Sequence, residues 1–110
     1  MQQKMLVICH MTHYIVIMIR HFKHKWLKEF WNNGRNKKVP PEIADRLIRK
    51  LDMLNRAYDL IDLNAPPSNR LHPLSGDRQG QWAISINGPW RLCFEFREHD
   101  AYNVELVQYH

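Results

Sequence analysis

The chain holds two cysteines in 110 residues, Cys9 and Cys93. They have no metal-ligand spacing and make no disulfide framework. Its seven histidines include no HxxxH pair for a helix and no His–carboxylate cluster at ligand spacing. His21 and His24 are three apart, but they straddle the boundary between a strand-like and a helix-like stretch. There is no P-loop and no GxGxxG, so the glycine loops that cradle nucleotide phosphates are excluded. Any catalysis is therefore expected to use neither metal nor cofactor. No apolar run suits a membrane span either. The stretch MQQKMLVICHMTHYIVIMIRHF is broken by His10, Thr12 and His13, whereas a span needs about 20 apolar residues. It has no small-residue cleavage site and one early lysine, which argues against a secretory signal. Unpaired thiols fit a reducing compartment, and a cytoplasmic location is expected. Repeats and low-complexity tracts are also missing.

What the chain does have is positive charge. Sixteen Lys and Arg against eleven Asp and Glu give a net charge of +5 and a pI near 9.5. That balance favours a polyanionic partner, with nucleic acid first. A hydrophobic content of 45% with 25% charged residues is ordinary for one folded domain with a modest core. The working domain is expected to span residues 18–110, opening at Met18. Residues 1–17 are read as a dispensable N-terminal extension.

Periodicity predicts the elements. YIVIMIRHF (14–22) is β-branched and reads as a strand. In KHKWLKEFWNNG (23–34), Trp26, Leu27, Phe30 and Trp31 share one helical face, and Gly34 is placed to end the helix. After the basic loop RNKK (35–38), Pro40 and Pro41 suit the first turn of a second helix. Its stripe runs through Ile43, Leu47, Leu51, Leu54 and Tyr58, with Arg46, Arg49, Lys50 and Arg56 mainly off it. NAPPSN (64–69) reads as a turn-rich linker. QWAISI and WRLCFEF then alternate, with NGP as the turn between them. Trp90, Leu92, Phe94 and Phe96 share one face, and Arg91, Cys93 and Glu95 the other. AYNVELVQYH is the last strand. The fold class is α+β: two helices on a small antiparallel sheet, in the order β-α-α-β-β-β.

His72, Arg78, Arg91, Tyr109 and His110 are the candidates for acid–base work on a phosphate. Plainer readings exist for each. A histidine opening a strand is most often a surface residue, and Arg91 suits a cross-strand partner for Glu105 or Glu95. Asp77-Arg78 between Gly76 and Gly80 suits an ordinary turn. The helix-two cations suit a solvated face. Whether Arg91 and Tyr109 share a face depends on register, which alternation alone does not fix.

The order of motifs narrows these options. MIRHFKHKWLKEFW (18–31), then LHPLSGDRQGQW, then the W-R-x-x-F strand, then DAY and a terminal Tyr-His together resemble the HigB-type toxins of bacterial type II toxin–antitoxin systems, in the RelE-like superfamily. The resemblance runs from residue 18 to residue 110. It implies the two-layer fold above and a ribosome-dependent endoribonuclease that cleaves messenger RNA in the decoding site and arrests growth. It implies catalytic roles for His72, Arg91, Tyr109 and His110, with the last strand delivering the final two. The basic residues Arg35, Lys37, Lys38, Arg46, Arg49, Lys50 and Arg78 would then contact RNA or the ribosome. The implied partner is a HigA-type helix-turn-helix antitoxin, through which alone the toxin would meet operator DNA. Two positions depart from the family: Ser75 stands where it commonly has Lys, and Gln108 where it often has Asp. These departures keep a rival reading in view, a non-catalytic RNA- or protein-binding module on the same fold. A DNA-binding regulator is disfavoured, because no helix-turn-helix spacing is visible.

Overall fold

The computed structural model describes residues 5–9 and 13–109 of the chain, and side chains from residue 18 onward. The chain opens with a hairpin of β1 (Met5–Cys9) and β2 (His13–Ile17). The strand expected over 14–22 therefore stops at Ile17. The segment after it runs parallel to the last strand through two isolated bridges, Ile19 to Ala101 and Phe22 to Val104. The bridges stay isolated because the last strand bulges between them, where Asn103 takes a φ of 53°.

α1 (Lys25–Asn33) follows. Gly34 ends it in the left-handed region at φ 80°, and its N–H closes on the Phe30 carbonyl at 2.7 Å. A Cβ would be strained there. One 3-10 turn (Pro41–Ile43) leads into α2 (Ala44–Arg56). The apolar stripe of α2 is buried through Leu47, Leu51 and Leu54, but it stops short of Tyr58. The helix ends at Arg56, and the Tyr58 side chain is exposed. The linker folds into 3-10 turns at Leu60–Asn64 and Pro67–Asn69. Asn69 is completely buried, and its amide donates to the carbonyls of Leu63 and Ala65. Those bonds satisfy the buried backbone of a segment that has no ladder of its own.

The sheet has four antiparallel strands: β3 (His72–Pro73), β4 (Trp82–Asn87), β5 (Trp90–Arg97) and β6 (Asp100–Gln108). The two-residue β3, which His72 opens, adds a fourth strand to the three expected in the meander. The last strand ends at Gln108 rather than running to the terminus. Both helices pack on one sheet face, where Leu27, Phe30, Leu47 and Leu51 meet Ile84, Leu92, Phe94 and Val104. Each such side chain contributes about 1.5–3 kcal/mol by leaving water. Among the described residues no helix covers the opposite face, which leaves it open for chemistry.

Candidate active site

Cross-strand pairing puts the chemistry-bearing residues in two rows on that open face. His72 lies opposite Ala83, Ala83 opposite Cys93, and Cys93 opposite Glu105. The adjacent row is Ser85, Arg91 and Val107. Neighbouring strands are about 4.8 Å apart, so one row crosses the whole sheet in about 14 Å. Ala83 and Cys93 are buried yet stand outside the helix-side core. What covers them is the site itself.

Tyr109 supplies part of that cover. It leaves the β6 ladder, and its N–H donates to the Pro89 carbonyl at 2.7 Å. This bond pins the residue against the β4–β5 turn. The phenol oxygen lies 3.9 Å from the Cys93 sulfur, and the Arg91 guanidinium lies 5.5 Å from the ring centre. Burial, and then the neighbouring Cys93, push the phenol above its ordinary pKa. Tyr109 therefore stays protonated at neutral pH, with an O–H that can donate. Burial also raises the Cys93 thiol, against the pull of Tyr109 and Arg78, so it sits here as a neutral filler.

Arg91 does not pair with Glu105 or Glu95, as a purely structural arginine in this strand would. Its Nη1 donates to the carbonyls of Gly88 at 2.6 Å and Trp90 at 3.0 Å. A guanidinium has five N–H donors, so among the described residues Nε and Nη2 keep theirs. The fork is oriented by backbone and free to grip an anion on its other edge.

Glu105 is claimed instead by Arg78, in a two-pronged pair of 2.9 and 3.2 Å. Lys23 reaches the same carboxylate at 3.4 Å and His24 at 4.0 Å. Burial works against the Glu105 charge, but the hydrogen bonds and charge of Arg78, then Lys23, outweigh it and hold the carboxyl below its usual range. Arg78 is held above its own, chiefly by the hydrogen bond to Glu105. This arginine is a tether between the β3–β4 loop and β6 more than a free phosphate ligand.

His72 is half-exposed at the end of the first row. Its Nδ1 lies 2.7 Å from the Arg70 carbonyl. A carbonyl only accepts, so Nδ1 carries a proton, and the tautomer this bond selects has its lone pair on Nε2. Arg70 has a left-handed backbone, φ 49°, which turns its carbonyl towards His72. Arg70 was not among the expected site residues. Its only sequence signal is its place two residues before His72.

The other basic residues divide by location. Arg46 and Lys50 line a cavity with Arg91, beside the open face. Arg49 is on the same helix, with its Nε on the Asp45 carbonyl at 3.3 Å. Arg35, Lys37 and Lys38 are exposed on the α1–α2 loop, and Arg35 and Lys37 line a separate groove with Phe30 and Val39. His110 lies outside the described residues. Among the described residues, no three His, Cys, Asp or Glu side chains converge as a metal site would require.

The family described as RelE-like toxin of type II toxin–antitoxin system HigB matches residues 20–110. The chain belongs to this family. A Proteus vulgaris protein named Endoribonuclease HigB is 39% identical over 93 residues, covering 84% of this chain and all of the relative. A Vibrio cholerae protein named Toxin HigB-1 is 37% identical over 90 residues, covering 81% of this chain and 95% of that one. The α+β architecture expected from the resemblance is the one observed. Toxins of this family have a cognate antitoxin partner, and no helix among the described residues is long and apolar enough to cross a membrane.

Proposed function

We propose that this chain is the toxin of its pair and an endoribonuclease acting on messenger RNA in the ribosomal decoding site. The observation that carries this reading is the shared open face. His72, with Nε2 available, and Arg91, with two nitrogens unspent among the described residues, stand on adjacent rows of one sheet, and the protonated Tyr109 lies against Cys93 and Arg91 on the same face. The Proteus relative, named an endoribonuclease, supports the same chemistry.

The reaction is an internal transphosphorylation. The RNA 2′-oxygen attacks the adjacent phosphorus, and the bond to the 5′-oxygen breaks, leaving a 2′,3′-cyclic phosphate and a 5′-hydroxyl. A base must accept the 2′-OH proton, and an acid must protonate the departing oxygen. His72 and His110 are assigned these two proton transfers, without a choice between them. Arg91 stabilises the charge that builds on the phosphorane, and Tyr109 orients the nucleotide by its ring and hydroxyl. Acid–base catalysis supplies about 10² to 10⁴-fold. The ribosome supplies the strained RNA conformation, so free RNA is a poor substrate. The chemistry needs no metal.

The basic residues Arg35, Lys37, Lys38 and Arg49 dock on ribosomal RNA, with salt-sensitive affinity. A helix-turn-helix antitoxin covers part of this surface, and the pair meets operator DNA through that partner. The toxin acts in the cytoplasm. The catalytic domain begins at residue 18, and residues 1–17 are dispensable for cleavage. The first test is growth of a bacterial host after induction: the wild-type chain arrests it, and His72→Ala does not. Arrest by both chains would remove His72 from the mechanism.

A further inference from the structure

A cavity of about 400 Å³ lies between α2, the turn at Pro67–Asn69 and the β4–β5 hairpin. Arg46, Lys50, Arg70 and Arg91 line it together with Ser68 and Ser85, and no Asp or Glu does. Such a concentration of one sign is costly. Arg46 and Lys50 are four residues apart on one helix, where like charges repel. Lys50 is part-buried and held by the Oδ1 of Asn69, itself fully buried. Burial, then Arg46 and Arg49, make its ammonium easier to deprotonate than an ordinary lysine. Cations on a merely solvated face spread out. Here Lys50 and Arg91 are held by hydrogen bonds, and Arg46 and Arg70 line the same concavity, with hydroxyls that can donate to the same guest.

We infer that this cavity is a phosphate seat for the RNA strand being cut, holding a backbone phosphate next to the scissile one. The inference rests on the open face being the cleavage site. Arg91 supplies the link, because it touches Tyr109 on one side and lines the cavity on the other. One guanidinium thus stands between two neighbouring anion positions. Arginine forks and a lysine point charge both suit phosphate oxygens. The seat would fix the register of the strand, so that the correct 2′-OH meets the proton-transfer residues.

The test uses a short 2′-O-methyl RNA, which binds but cannot be cut, and the full chain. Fluorescence anisotropy across a salt series reads its affinity and the number of phosphates neutralised. Arg46 and Arg70 are exposed, so the double variant Arg46→Ala/Arg70→Ala should fold, as thermal melting would verify. The double variant is expected to bind at least tenfold more weakly, with a salt slope shallower by about 0.7 for each phosphate released. In the wild type, RNA should raise the titration midpoint of Lys50 followed by NMR, which a purely structural lysine would not show. Equal affinity and slope in wild type and variant, while His72→Ala still abolishes cutting on ribosomes, would overturn this inference and leave the cleavage reading intact. Unchanged binding of the short RNA with weaker ribosome binding would assign the cavity to ribosomal RNA, and would overturn it too. If the wild type neither binds the RNA nor cuts on ribosomes, both readings fall together.

Discussion

Arg78 and Glu105 join the β3–β4 loop to the last strand by two parallel hydrogen bonds, Nη1 to Oε1 at 2.9 Å and Nη2 to Oε2 at 3.2 Å. The carboxylate is 12% exposed and the guanidinium 31%, so the pair is neither fully buried nor a surface pair. Arg78→Ala is expected to cost about 1–2 kcal/mol, between the values for exposed and buried ion pairs. The sign of the pH effect follows from Glu105. Its carboxyl is held below its usual range when folded. Its contribution is therefore present above the unfolded value of about 4.3 and lost as pH falls through the folded one. Denaturant melts of wild type and variant should differ at about pH 7, and the gap should close as the pH falls below about 4.3 and through the folded value. An equal gap throughout would show that the pair is not what the variant lost.

Among the described residues, Arg91 makes its side-chain hydrogen bonds to carbonyl oxygens alone, those of Gly88 and Trp90. Removing it should therefore harm chemistry more than folding. Arg91→Ala is expected to lower the rate of cleavage on ribosomes by about 10² to 10³-fold, with little change in melting temperature. Arg91→Lys should recover only part of the loss, because a point charge replaces the fork. Full activity in the lysine variant would show that charge alone matters.

The Cys93 thiol is buried beneath Tyr109, and burial raises its pKa. In a Cys9→Ser background, iodoacetamide should label Cys93 only as fast as the protein opens, and rapidly once it is denatured. Fast labelling of the native chain would mean that the open face is not packed as described.

Asp100 is 7% exposed and holds the start of the 18–23 segment, accepting from the Met18 N–H at 3.2 Å and from Arg20 Nε at 2.9 Å. Asn55 takes the Ile19 N–H at 2.9 Å. Asp100→Ala should cost about 1–3 kcal/mol by orphaning part-buried donors, seen as a melting shift of roughly 4–8 °C per kcal/mol. Deleting residues 1–17 should leave the melting temperature nearly unchanged. A truncated chain that fails to fold would move the domain boundary upstream of Met18.

Local pattern carried much of this fold. The face of α1 that holds Leu27, Phe30 and Trp31 could be read from spacing, as could Gly34 at its end and the alternation of β5. These depend on residues a few positions apart. The rest depends on distant partners. That Arg91 and Tyr109 share a face is a matter of register, and the Arg91–Val107 and Cys93–Glu105 pairings settle it. That Glu105 belongs to Arg78 joins residues 27 apart. The 14–22 run is rich in β-branched residues, yet its second half gets only two bridges because β6 bulges between them, and that bulge is invisible in residues 14–22. Tyr58 fits the apolar spacing of α2, but the chain turns out of the helix before reaching it.

The central claim is that the open sheet face cuts messenger RNA. It is tested most directly by mapping new RNA 5′ ends after brief induction of the wild-type chain in a bacterial host, beside His72→Ala and a chain lacking His110. The account predicts cuts confined to translated frames in the wild type and lost in both variants. Cuts that persist in both variants, or a folded wild-type chain that makes none, would contradict it, and the second result would favour a module that binds without cutting.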